Sequence, residues 1–167
     1  MRYVTGSLLM ALLAIVQSTV LTRLAFLEGT PSLILLACVS WALVGRAGEA
    51  MILGFIGGLF LDLLSGGPFG VSSIALVASV YLASLTEGRF WEAHILAPLG
   101  VMAAASAVYY VITTAAIWIA GHPLSPDRAF AQVFLPSTFL NVLLALPSVQ
   151  LAGRLQEAAF PPAVRMG

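Results

Sequence analysis

The amino-acid sequence predicts an all-α integral membrane protein with six transmembrane helices. Apolar residues make up 60% of the chain and charged residues only 8%, and the mean hydropathy is +1.04. Soluble domains carry about 25% charged residues, so this chain could not cover a surface that faces water. Short polar or Gly/Pro-containing breaks divide it into six apolar runs, and one membrane-spanning helix needs about 20 apolar residues.

The predicted spans form one domain over residues 1–167 and cover residues 3–21, 31–44, 49–64, 71–85, 94–120 and 129–151. The first span begins with an apolar run from Val4 to Leu21 and has no convincing signal-peptidase site, so we expect it to be retained. The second, third and fourth spans are short for a full crossing, which predicts little tilt. The fifth is long and is expected to tilt, or to kink near Pro98. The sixth contains Pro136 and Pro147, which membrane helices tolerate where neighbours satisfy the freed backbone groups.

The arginines predict the orientation of the chain. Six spans place both termini on one side of the membrane. If that side is the cytoplasm, five arginines are inside and two are outside, as the positive-inside rule requires. The inside set is Arg2, Arg46, Arg89, Arg154 and Arg165, and the outside set is Arg23 and Arg128. We therefore expect both termini in the cytoplasm.

The third span carries a face of small residues that ends in a carboxylate. Gly54, Gly58 and Asp62 recur every four residues, so they share one side of a helix, and Gly57 widens this bare surface. Glycines at this spacing allow another helix to approach closely. That neighbour could be a helix of the same chain or a helix of a partner protein.

Asp62 is the most unusual residue of the chain, because an aspartate at the bilayer centre costs about 2.5–3.5 kcal/mol. It also lies near the C-terminal end of its helix, where the macrodipole disfavours negative charge. The segment from Ser65 to Gly70, with Gly66 and Pro68 inside it, predicts a tight turn. We expect Asp62 to accept hydrogen bonds from this turn or from the first N–H groups of the fourth helix.

Other polar residues could line a pocket or join helices. Gln17 falls late in the first span, and Ser137 and Asn141 share one face of the sixth. Hydrogen bonds between helices are the common role of such groups, and a pocket lining is the alternative. No metal-ligand spacing, nucleophile–base pair or basic stripe appears, so we expect no enzyme activity, no cofactor, no metal and no nucleic-acid partner. Because Asp62 has no second carboxylate at its depth, a proton-coupled carrier is disfavoured.

The third and fourth spans resemble the signature of the MreD family of bacterial rod shape-determining membrane proteins. The resembling residues are Gly54-Phe55, Gly58-Leu59, Asp62, Ser65-Gly66, Pro68 and Gly70, with Gln17-Ser18-Thr19, Pro31 and Gly45 in the flanks. The resemblance covers most of the chain and is carried by its first half. Two residues depart from the family pattern: Ser32 stands where an acidic residue is frequent, and Phe69 where leucine is commoner.

This resemblance implies a non-enzymatic component of the cell-elongation machinery in the bacterial cytoplasmic (inner) membrane. It implies MreC as the direct partner and, through it, a RodA-type glycosyltransferase, a class B penicillin-binding transpeptidase and MreB. It also implies a fold similar to the substrate-binding subunits of energy-coupling-factor transporters. We therefore expect the glycine–aspartate face and the turn to contact MreC. The alternative is a small-molecule binding subunit of a vitamin or metabolite importer, with an outward-opening pocket that uses Gln17, Asn141 and Trp118.

Overall fold

The computed structural model of the protein describes residues 2–19, 29–66, 68–86, 96–121 and 129–159. Four of the seven arginines on which the predicted orientation depends lie outside these residues: Arg23, Arg89, Arg128 and Arg165. The ends of the first and fifth predicted spans, at residues 20–21 and 94–95, lie outside them as well.

Six α-helices account for nearly all of the described chain. They are α1 (Arg2–Thr19), α2 (Leu33–Trp41), α3 (Ala47–Ser65), α4 (Val71–Ser84), α5 (Ala97–Ile119) and α6 (Leu135–Ala159). Each overlaps one predicted span, and α6 continues eight residues beyond the predicted end at residue 151. Ala42–Arg46 follows α2 and contains a kink, and a π-helical segment, Ala129–Phe134, precedes α6. The all-α prediction is therefore confirmed for the described residues.

A sharp break separates α2 from α3. Within Ala42–Arg46, Gly45 adopts φ 90° and ψ 21°, a left-handed conformation that costs a glycine little. Beside it the guanidinium of Arg46 donates to the carboxylate of Glu49 at 2.9 Å. The indole of Trp41 donates to the same carboxylate at 3.3 Å. These bonds tie the end of α2 to the first turn of α3.

The core of the bundle is built around α2. Ile34, Leu35, Cys38 and Val39 are fully buried although they point in different directions from the helix axis. A helix that is apolar all round is buried all round, and α2 accordingly packs against each of the other five helices. The lone thiol of Cys38 therefore packs as a small hydrophobe, as expected for a buried free cysteine.

Contacts between side chains show that neighbouring helices alternate in direction. Gly57 faces Ile34 and Gly54 faces Cys38, so α2 and α3 run in opposite directions. Gly58 faces Ser73 and Gly54 faces Val80, so α3 and α4 do so as well. Along α6, Asn141 bonds near the start of α2 and Ser148 near its end, so these two helices are parallel. We call the end of the bundle where α3 turns into α4 the turn end, and the end at Gly45 the opposite end.

Helix lengths vary widely across the bundle. Three described stretches are long and apolar enough to cross a membrane: Leu33–Ser65, Ala97–Ile119 and Gln132–Ala158. The first of these contains α2, the break at Gly45 and α3. Val4–Thr19 and Val71–Ser84 are shorter apolar helices. The architecture is thus that of an all-α membrane protein, in which α2 is the shortest helix and reaches spanning length only together with α3.

Pro98 does not kink the fifth helix. It lies in the first turn of α5, which begins at Ala97. A proline is well accommodated there, because the first N–H groups of a helix have no partner within the helix. The expected kink is therefore replaced by a helix start. Pro147, in contrast, lies inside α6.

Candidate functional site

The carboxylate of Asp62 joins the end of α3 to the start of α4. Its Oδ2 accepts a hydrogen bond from the backbone N–H of Gly70 at 2.7 Å, and its Oδ1 accepts one from the N–H of Ser72 at 3.1 Å. Gly70 is the N-cap residue of α4 and has no side chain that could cap the helix. Asp62 therefore does the work of an N-cap from eight residues upstream. We call Asp62, Gly70 and Ser72 the turn clasp, and the bonding predicted for Asp62 is confirmed.

The electrostatics of the turn clasp explain how a buried carboxylate is tolerated. Asp62 is only 5% exposed. The macrodipole of α3 disfavours its charge, while the positive N-terminus of α4 faces it directly and favours it. Two charge-assisted hydrogen bonds replace part of the water that the carboxylate has lost. Tyr109 on α5 lies next to Ser72 and within the electrostatic reach of Asp62.

Gly58 allows α3 and α4 to touch backbone to backbone beside the clasp. A Cβ atom on Gly58 would lie 2.4 Å from the N and Cα atoms of Ser73, so no side chain fits there. The hydroxyl of Ser73 donates to the backbone carbonyl of Phe55 at 3.0 Å. The close approach and this bond together fix the position of α4 along α3.

The other two glycines of this face are also covered by the chain itself. A Cβ atom on Gly57 would lie 2.9 Å from the Ile34 side chain, and one on Gly54 would lie 3.7 Å from Leu76. All three glycines are buried. The expectation that they form bare backbone open to a partner helix is thus corrected, because α1, α2 and α4 already occupy this side of α3.

The turn itself is the exposed part of the predicted site. Gly66 ends α3 with φ 66° and Gly70 precedes α4 with φ 92°, both in the left-handed region that favours glycine. Ser65, Gly66 and Pro68 are exposed, and the ring of Phe69 is 67% exposed. The predicted motif therefore divides into a buried half that packs helices and an exposed half that forms a braced turn.

The polar residues predicted from α1 and α6 converge on the start of α2. Ser32 is the N-cap of α2, and its hydroxyl accepts from the N–H of Leu35 at 3.4 Å. Gln17 donates to the Ser32 hydroxyl at 3.4 Å and accepts from the N–H of Ile34 at 3.3 Å. Asn141 accepts from the N–H of Ser32 at 2.9 Å.

Two further bonds complete this network. The amide of Asn141 donates to Ser106 on α5 at 3.1 Å, and Ser137 accepts from the N–H of Thr30 at 3.1 Å. We call Gln17, Ser32, Ser106, Ser137 and Asn141 the α2 cap cluster. These side chains use their hydrogen-bonding groups to hold the extended residues before α2 against α5 and α6. Their bonding is that of helix-joining groups.

Sequence reasoning missed four members of these networks: Ser32, Ser106, Tyr109 and Tyr110, the last of which donates to the carbonyl of Thr30. Ser32 was treated as a departure from a family pattern, although a serine directly before an apolar run is a helix-start signal. Tyr109 and Tyr110 on α5 were not singled out, and no local sequence pattern distinguishes them from other aromatic residues in apolar helices. Among the described residues, no three His, Cys, Asp or Glu side chains lie close enough to hold a metal ion.

Comparison with known proteins gives one family. The model of the family described as rod shape-determining protein MreD matches residues 1–151 of the 167-residue chain. Curated proteins and solved structures give no significant match. The match includes the turn clasp, the α2 cap cluster, α1 to α5 and the part of α6 up to Leu151. The chain therefore belongs to the MreD family of rod shape-determining membrane proteins.

Proposed function

We propose that this protein binds MreC in the bacterial cytoplasmic membrane and acts there without enzymatic activity. Through MreC it supports peptidoglycan synthesis by a RodA-type glycosyltransferase and a class B penicillin-binding transpeptidase, with MreB as a further indirect partner. Membership of the rod shape-determining family carries this proposal. The hydrogen bonding of the polar residues weighs against an importer subunit, because Gln17 and Asn141 are engaged within the chain.

The proposal includes six membrane crossings with both termini in the cytoplasm. The alternating directions of the six helices support it, because successive crossings must run in opposite directions. The break at Gly45 supports two crossings within Leu33–Ser65 rather than one. In this arrangement the turn end faces outward, and Arg46 and Arg154 lie on the cytoplasmic side, in agreement with the positive-inside rule.

We place the MreC contact at the exposed half of the motif. Phe69 lies beside Gly70, whose N–H is held by the carboxylate of Asp62 at 2.7 Å. A side chain whose backbone is already held loses less conformational entropy on binding. Exposed aromatic residues are also frequent among the side chains that dominate interfaces. The turn clasp thus holds the backbone beside Phe69 in one conformation before a partner binds.

Co-purification of MreC in mild detergent tests this placement, and the chain offers a matched pair of variants. Phe69 and Phe139 are both 67% exposed, but Phe139 lies on the outer face of α6. Phe69→Ala should weaken MreC binding about 30-fold or more, the loss typical of a dominant interface aromatic residue. Phe139→Ala should retain it. Equal retention by both variants, or selective loss with Phe139→Ala, would place the contact elsewhere.

A further inference from the structure

The turn clasp and the α2 cap cluster lie next to two consecutive residues of α5, Tyr109 and Tyr110. Tyr109 reaches toward the turn clasp through Ser72. Tyr110, the next residue of α5, donates to the carbonyl of Thr30 at 3.4 Å and also interacts with Ser137 and Asn141. Consecutive helical residues point about 100° apart, so one turn of α5 can serve both clusters.

The two tyrosine rings also contact each other. Their centroids lie 5.3 Å apart with an interplanar angle of 82°, an edge-to-face arrangement that aromatic pairs favour. Tyr110 makes a second edge-to-face contact with Phe134, directly before α6, at 5.9 Å. Neighbouring residues therefore lead from Asp62 through Ser72, Tyr109 and Tyr110 to Phe134, directly before α6.

We propose that Tyr109 and Tyr110 couple the turn clasp to the α2 cap cluster, so that loosening either cluster loosens the other. Buried side chains at this packing density cannot shift independently. Loss of the Asp62 charge releases the N-terminus of α4 and with it Ser72. Tyr109 then loses its polar neighbour Ser72, and its ring no longer holds the ring of Tyr110 in place beside Thr30. Loosening of the exposed turn is thereby transmitted to the residues that precede α2.

This coupling goes beyond the proposed contact with MreC, since it is a property of the isolated protein. It assigns to α5 the role of linking the two clusters. Coupling between two sites is reciprocal in free energy, so the effect must also run from the α2 cap cluster to the turn.

Hydrogen exchange of the full chain in lipid nanodiscs tests the proposal. The readout is the peptide covering residues 29–36, which contains the N–H groups that Thr30, Ser32 and Ile34 donate to the cluster. Asp62→Asn should speed their exchange about fivefold, the change expected for loss of one hydrogen bond. In a Tyr109→Phe background the same substitution should still speed exchange at residues 68–74, but no longer at 29–36.

A matched control separates coupling from general loosening. Ser79 joins α4 to α5 through the carbonyl of Ala105, outside both clusters, and Ser79→Ala should leave residues 29–36 unchanged. Equal acceleration by Ser79→Ala would overturn the proposal. So would an Asp62→Asn effect that is absent at 29–36 or that persists there with Tyr109→Phe.

A reciprocal experiment keeps the proposal testable if Asp62→Asn does not fold. Ser137→Ala removes the acceptor of the Thr30 N–H while leaving the turn clasp intact. Exchange at residues 68–74 should then rise about fivefold, because coupling is reciprocal. Unchanged exchange at those residues would also overturn it.

Discussion

Gly58 and Ser73 approach so closely that a single added carbon atom would have no room between them. The Cβ of an alanine at residue 58 would lie 2.4 Å from two backbone atoms of Ser73. Backbone atoms cannot rotate away as a side chain can, so α3 and α4 would have to separate. This contact makes the spacing of the two helices, and hence the geometry of the turn clasp, depend on one missing side chain.

Gly58→Ala should therefore destabilise the protein by about 1–3 kcal/mol, the usual cost of overpacking. Gly54 is the matched control, because a Cβ there would meet its nearest neighbours at 3.7–3.8 Å, an ordinary van der Waals distance. Gly54→Ala should be neutral or slightly stabilising. Thermal unfolding in detergent measures both variants. If they lose stability equally, the close contact at Ser73 does not control the packing of α3 against α4.

Asp62→Asn should cost about 1–3 kcal/mol of stability. The amide can accept at only one of its two positions, so one of the N–H groups of Gly70 and Ser72 loses its partner. The favourable interaction of the carboxylate with the N-terminus of α4 is lost as well.

Glu157 near the exposed end of α6 provides the control for Asp62. Glu157→Gln removes the same charge from a solvated position, where substitutions usually change stability by less than about 0.5 kcal/mol. Unfolding of both variants in detergent would be compared with the wild-type protein. A stability change of similar size in the two variants would contradict the role of the turn clasp.

Asn141→Leu should destabilise the bundle by about 1–2 kcal/mol, since a buried N–H of Ser32 and the hydroxyl of Ser106 both lose a partner. Gln150, exposed on the same helix, is the control, and Gln150→Leu should be tolerated. Unfolding in detergent is again the measurement. An Asn141→Leu variant as stable as the wild type would show that the α2 cap cluster contributes little.

Cysteine labelling in intact cells and in inverted vesicles tests the predicted topology. In a Cys38→Ala background, Ser65→Cys at the turn end should react with an impermeant maleimide from outside. Gly48→Cys at the opposite end should react only in inverted vesicles. Both positions are exposed, so access to the reagent depends on the side of the membrane. Labelling of both cysteines from the same side would contradict two separate crossings by α2 and α3.

Much of the helical framework could be predicted because its signals are local. The lengths of the apolar runs predicted most helix ends to within a few residues. The left-handed glycines of the turn follow from residues 65–70 alone. The bonding of Asp62 was also predictable, since its partners lie only eight and ten residues away. The later end of α6 was missed, because that helix continues into a more polar sequence that apolar run length does not detect.

The occupant of the glycine face could not be predicted in the same way. Helical periodicity establishes that Gly54 and Gly58 share one side of α3, but it says nothing about which helix covers that side. The same holds for the pairing of Asn141 with Ser32, which are 109 residues apart along the chain. Such contacts depend on how all the helices pack at once.

By itself, the sequence determined a helical membrane protein with a carboxylate poised to cap the helix after a glycine turn, because composition, run length and turn chemistry act over short distances. Only the tertiary structure decided that the glycines pack inside the bundle and that Gln17, Ser137 and Asn141 meet at the start of α2. Packing at close to crystalline density leaves one arrangement of these helices. That arrangement depends on the shapes of residues that are far apart in the chain.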